Sequence, residues 1–347
     1  MAVAEKEIEM LQLDELDVVI VVDNETDTLS SIDNAEQSPE SRGILDRVEP
    51  TAVVDGHAHT DVFGHLCCAC HGFSVLLKGR AGNESRTVLF DVGPYGDIWL
   101  ANTERLGIDL STIEAVFLSH WHWDHSGALP VAIAAIASAR AEAGLAPPVL
   151  DLHPDRPEQR GVRVPDGRVL LLPPEPSLDE LSAAGADIVL NSDAHDIADG
   201  FFFGSGEIPR VNDFETGLHG HVTRRDETFD DDPLILDERY LAANVAGRGI
   251  TVLSACSHAG VINAATSASE LDDAGLDMVL GGYHLAGATM EKRIPATVAS
   301  LRSLNPSLVA PGHCTGWRAK AALAAEFSPD GRYAPSVVGS RYRLGNA

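Results

Sequence analysis

With 347 residues, 44% of them hydrophobic, the chain has enough apolar material for one large core or two smaller ones. Its formal net charge of −27, with lysine confined to Lys6, Lys78, Lys292 and Lys320, excludes nucleic-acid binding through a general basic face, because phosphate would be repelled. The acidity is spread along the chain, the pattern of a surface adapted to high salt, where screening removes self-repulsion, so a halophilic source is expected.

Residues 1–16 are acidic and read as a tail with some helical pattern, an extension ahead of the first strand, Asp17 to Val22. Residues 25–49 are rich in Ser, Asp and Pro and read as a long surface loop. Val53-Val54-Asp55-Gly56-His57-Ala58-His59 is a strand running into Asp-x-His-x-His, which resembles the first metal motif of the amidohydrolases, which are TIM barrels. That alternative needs a metal-bridging lysine, and neither Lys78 nor Lys292 sits in such a context. Val75 to Leu77 and Thr87 to Asp91 form a hairpin, and Gly96 to Leu106 is a helix closed by Gly107.

The stretch Ser119-His120-Trp121-His122-Trp123-Asp124-His125 follows the buried run Ala115 to Leu118 and precedes an Ala-rich helix reaching about Ala143. Neutral imidazole and carboxylate suit a borderline divalent cation such as zinc. His120 and His122, two apart on an extended segment, point the same way, while Asp124 and His125 fall on the next turn and face a second point. Such an arrangement suits two metal ions. Trp121 and Trp123 either wall the cleft or pack beneath it.

Val149 to His153, Val169 to Leu172 and Ile188 to Leu190 are short strands. The stretch 198–239 reads as an insertion that carries Phe201-Phe202-Phe203, Glu207, Arg210, His219, His221, Arg224 and Arg225. Aromatics beside arginines could hold a flat ring and a phosphate. Then strands and helices alternate, the helices expected at 261–273, 293–304 and 317–327, and the strands at 249–254, 276–280 and 307–310 each end in a loop with one histidine: His258, His284 and His313. Strand C-termini are where α/β folds build sites.

Cys67, Cys68, Cys70, Cys256 and Cys314 are an odd, clustered set, which fits reduced thiols in a cytosol rather than a disulfide framework. There is no basic-then-apolar leader, and no apolar run reaches ~18 residues, so neither secretion nor a transmembrane helix is expected. Oligomeric state is not readable.

The His-x-His-x-Asp-His pattern of 120–125 resembles the first metal motif of the metallo-β-lactamase superfamily, and Pro311-Gly312-His313 resembles its last metal histidine. The resemblance implies an α/β fold, an αββα sandwich of two mixed β-sheets flanked by helices, formed by 1–347 as a single domain. It implies two divalent ions, zinc first with Mn2+ or Fe2+ as alternatives, held by His120, His122, Asp124, His125, His258 and His313. The superfamily's bridging Asp is missing from the His258 loop; His258, His284 or Glu207 could substitute, with His258 preferred. Asp23-Asn24, His71-Gly72-Phe73-Ser74, Gly206-Glu207-Ile208-Pro209-Arg210, Cys256-Ser257-His258-Ala259-Gly260, Gly281-Gly282-Tyr283-His284-Leu285 and His313-Cys314-Thr315-Gly316 resemble the subfamily of 7,8-dihydropterin-6-yl-methyl-4-(β-D-ribofuranosyl)aminobenzene 5′-phosphate synthases. This second resemblance implies a metal-dependent hydrolase or transferase for a phosphorylated or pyrophosphorylated small molecule. Asp124 and His284 are its expected catalytic residues. Asn24, His71, Glu207, Arg210, Arg224 and Arg225 are its expected substrate-binding residues. A non-catalytic metal-binding protein on the same scaffold is a further alternative. A di-iron oxidoreductase is disfavoured by Trp121, His122 and Trp123 in the motif.

Overall fold

The structure is a computed structural model that describes residues 10–31, 36–39, 49–164 and 166–345. Its frame is two β-sheets packed face to face with helices on both outer surfaces. Strand Glu15–Val22 shows why both faces are buried. Val18 and Ile20 enter the core between the sheets, while Val19, Val21 and Val22 pack under the outer helices. A β-branched run with period two and no polar face fits a strand covered on both sides.

The first sheet has eight strands, among them Ser74–Ala81, Glu84–Phe90, Ile113–Phe117 and Val149–Leu152. Trp99, Leu106, Ile133 and Ile136 of helices Gly96–Leu106 and Leu129–Glu142 cover its outer face. The second sheet contains Phe202–Gly204, Leu241–Val245, Gly249–Ser254, Leu276–Gly282 and Leu308–Gly312. Helices Val261–Ser269, Ile294–Leu304 and Trp317–Phe327 cover it through Ile262, Leu301 and Leu323. Inward residues of both sheets, such as Phe90, Phe117, Leu253, Met278 and Leu280, share one core. Burying each such side chain is worth about 1.5–3 kcal/mol.

Several boundaries differ from the sequence expectation. The expected tail becomes structure by Gln12–Leu13, where Leu13 is buried and pairs in register with Val245; residues 1–9 lie outside the described residues. Within the expected long loop, Gln37–Pro39 pairs with the C-terminal strand Ser340–Gly345, which sequence reading missed. Alternation of Ser340, Tyr342 and Leu344 inward with arginines outward was its signal. The helix expected to reach Asp273 stops at Ser269. The stretch 198–239 contributes Phe202–Gly204 to the second sheet and His221–Arg224 and Phe229–Asp231 to a separate four-stranded sheet with Gln159–Arg163 and Val169–Pro174.

Strands Glu15–Val22, Glu84–Phe90, Ile113–Phe117, Gly249–Ser254, Leu276–Gly282 and Leu308–Gly312 all deliver their C-terminal loops to one edge of the sandwich, so Asn24, Asp91, His120–His125, Cys256–His258, His284 and His313 converge.

Candidate metal centre

Two donor groups with three or more ligands of their own form at that edge, and a third, His284 with Cys314, shares Cys256 with the second. In the first, His122 Nδ1 lies 2.9 Å from His120 Nε2 and 3.1 Å from His258 Nε2. In the second, Cys256 Sγ lies 3.2 Å from both His125 Nε2 and His313 Nε2, and Asp124 Oδ2 is 3.3 Å from His313 Nε2 and 3.6 Å from His125 Nε2. Cys256 was absent from the sequence-derived ligands. Its signal was position: it stands two residues before His258 at the end of the same strand.

Second partners orient these rings. Ser119 donates its hydroxyl to Asp91 Oδ2 at 2.8 Å and accepts from His120 Nδ1 at 2.9 Å. Asp91 also accepts the Ser119 amide at 2.7 Å and His125 Nδ1–H at 2.7 Å. His313 Nδ1–H donates to Asn24 Oδ1 at 3.0 Å, and Asn24 Nδ2 donates to His71 Nδ1 at 3.0 Å. His71 Nε2 reaches Asp124 Oδ2 at 3.4 Å. For His120, His125 and His313 the outer partner takes the Nδ1 proton and turns Nε2 toward the centre, the way histidine ligands are fixed, whereas His71 accepts at Nδ1 and turns its own Nε2–H to Asp124. Glu238 accepts the amides of His258 and Ala259 at 2.8 and 2.6 Å, which pins the His258 loop.

Backbone strain concentrates here. Asp91, Ser257, His284 and His313 all have positive φ, at 55°, 60°, 44° and 44°. Non-glycine residues there cost on the order of 1–3 kcal/mol each and persist where surrounding structure over-determines them.

Burial, reinforced by neighbouring cationic groups, holds His120, His122 and His258 well below the usual imidazole pKa, so they are neutral with available lone pairs. Burial would also neutralise Asp124, but His125, His313 and His71 keep its carboxyl well below the ordinary range. Burial opposes charge on His125; Asp124 and Asp91 overcome it and lift its pKa to about 9. A proton thus sits where a cation would stand. The donor chemistry fits divalent metal in both groups: three neutral imidazoles in one, and carboxylate, thiol and two imidazoles in the other.

His284 lies against His258, with ring centroids 4.5 Å apart, and groups with Cys256 and Cys314. Trp121 is fully buried, donating Nε1–H to His153 O at 3.0 Å, so it packs beneath the motif. Glu207 instead lines a separate cavity of about 730 Å³ with His153, Phe203 and Tyr240. Arg210 donates to Leu234 O. Arg224 faces Glu158 at 3.5 Å, and Arg225 pairs with Asp155 at 2.7 Å. His57 and His59 lie on an exposed two-stranded hairpin outside both donor groups. Among the described residues Cys68, Cys70, Cys256 and Cys314 form no disulfide, and no helix is long and apolar enough to cross a membrane.

Residues 69–235 match the family described as the metallo-beta-lactamase superfamily. A solved structure described as Tm1679, a metal-dependent hydrolase of the beta-lactamase superfamily, superposes with a TM-score of 0.64 at 21% identity, covering 95% of this chain and 100% of that one. The chain therefore has the metallo-β-lactamase fold, with residues 69–235 matching that superfamily, and the TIM-barrel alternative falls with the fold. More particularly, it is similar to the 7,8-dihydropterin-6-methyl-4-(beta-D-ribofuranosyl)-aminobenzene-5′-phosphate synthase of Methanocaldococcus jannaschii, 27% identical over 266 residues, or 75% of this chain and 86% of that relative.

Proposed function

We propose that residues 1–347 form one metallo-β-lactamase-like domain that works as a metal-dependent hydrolase or transferase. Its substrate is a phosphorylated or pyrophosphorylated small molecule, of which a dihydropterin is the first candidate. The observation that carries this is the pair of donor groups built around the one turn 120–125, in which the Asp124 side chain is 20% exposed while His125 and His313 are fully enclosed. The pterin candidate rests on the similarity to the named synthase.

His120, His122 and His258 would hold one ion, and Asp124, His125, His313 and Cys256 the other. Bound divalent ions there supply Lewis acidity and lower the pKa of water. Asp124 orients the attacking group at the mouth. His284, raised in pKa because Cys314 and Glu238 outweigh its burial, is a proton donor over His258. Asn24 and the largely exposed His71 line the entrance and meet the anion first, while Arg210, whose charge is felt by Glu238, adds a cation. Glu207, Arg224 and Arg225 would take part only by exchanging present surroundings for substrate. The absence of a disulfide at Cys68, Cys70, Cys256 and Cys314 favours a reducing cytosol.

The test is elemental analysis of protein purified in high salt, followed by a phosphoester and pterin screen. Two ions per chain and activity lost in His122→Ala are expected. Replacing Cys256 by Ser should lower the content toward one ion. Full turnover in metal-depleted protein would sink the proposal; two ions without turnover would favour the non-catalytic alternative.

A further inference from the structure

We propose that His221 is a positioning residue that fixes the tautomer of His122, and that the small four-stranded sheet exists in part to deliver it. The inference rests on the metal centre proposed above and adds to it a residue outside both donor groups.

His122 is the one histidine of the 120–125 motif whose outer partner is another imidazole. Its Nε2 lies 2.9 Å from His221 Nε2. Two facing ring nitrogens at that distance need one proton between them, and the surroundings say whose it is. His221 Nδ1 is 2.7 Å from the carbonyl oxygen of Asp232, and a carbonyl can only accept. The single proton of neutral His221 is therefore on Nδ1, and its Nε2 is bare. A bare nitrogen can only accept, so His122 carries its proton on Nε2 and presents Nδ1 bare toward His120 Nε2 and His258 Nε2. The opposite tautomer of His122 would set two lone pairs against each other at the His221 contact and point an N–H into the cradle, whereas the bare nitrogens of His120, His122 and His258 that face one another at 2.9 and 3.1 Å are the set a cation between them would satisfy.

The placement is built. His221 is 1% exposed and opens strand His221–Arg224, which pairs antiparallel with Gln159–Arg163. The same pairing strand brings in Arg160, fully buried, whose Nη1 donates to Trp121 O at 2.7 Å. One small sheet thus grips the motif at Trp121 and at His122. Beyond His221 lies an open cavity of about 500 Å³ lined by Arg163, His219 and Asp231, so the ring separates His122 from solvent on that side.

The test compares wild type with His221→Ala, which removes the acceptor, and His221→Gln, whose amide oxygen can accept at the Nε2 position. Zinc affinity is measured by chelator competition, and the His122 tautomer by nitrogen-15 imidazole couplings in zinc-free protein. Affinity is expected to fall roughly ten- to a hundredfold in His221→Ala and to recover largely in His221→Gln. His122 should be the Nε2–H tautomer in wild type and His221→Gln, and mixed in His221→Ala. Unchanged affinity in His221→Ala, or an Nδ1–H His122 in wild type, overturns the proposal. If wild type binds no zinc, the metal centre is refuted and the tautomer alone decides the role of His221. If His221→Ala does not fold, the wild-type tautomer and His221→Gln decide it.

Discussion

Replacing Arg160 by Met tests how the motif is held. Arg160 is fully buried, with Nη2 2.6 Å from Asp237 Oδ1 and Nη1 on the carbonyl of Trp121. Asp237 Oδ2 in turn accepts the Trp121 amide at 2.8 Å, so the pair clamps the peptide between His120 and His122 from both sides. Despite burial, Arg160 keeps the Asp237 carboxyl far below the ordinary carboxylate range. Removing the arginine strands that charge, and breaking a buried pair costs about 3–5 kcal/mol. Against a total stability of roughly 5–15 kcal/mol, that is a large fraction. Both variants leave the Trp121 carbonyl without its arginine; replacing both residues, Arg160→Met with Asp237→Leu, adds an unpaired Trp121 amide, at about 1–3 kcal/mol for such a group, but removes the stranded charge. The double variant should therefore be more stable than Arg160→Met alone. Urea unfolding of zinc-free protein reads both values. A loss below about 1 kcal/mol in the single variant, or a double variant less stable than the single, would refute the clamp.

Other outcomes rest on the same geometry. Zinc-free His125, with a pKa of about 9, is protonated at pH 7, and the buried Cys256 thiol is raised well above its usual value. Loading that group should release about two protons at pH 7, since metal ligands must be deprotonated. Because the His125 pKa is raised, its share vanishes as pH rises through about 9; titration calorimetry in buffers of differing ionisation enthalpy measures this, and a release independent of pH up to 10 would contradict it. The double variant His57→Ala, His59→Ala, on an exposed hairpin, should keep the wild-type metal content and change stability by less than about 0.5 kcal/mol. Lost metal in that variant would revive those histidines as ligands.

Much of the site was legible because its chemistry is local. His120 to His125 occupy one strand-to-helix turn, and the later histidines each follow an apolar strand. Period-two runs and short α/β repeats carried the sandwich in the same way, as Trp317–Phe327 and Gly96–Leu106 did for the helices. The remainder depends on long-range pairing that no local pattern encodes. Ser340–Gly345 is a strand because Glu15–Val22 offers it an edge. Cys256 becomes a donor because strands Gly249–Ser254 and Leu308–Gly312, with Leu276–Gly282 between them, bring it to His313. His221, 99 residues from His122, meets it only through the small sheet. Sequence by itself determined which residue types and faces were available; the tertiary structure decided which nitrogen of each ring is bare, because an imidazole's proton is assigned by the partner on its far side.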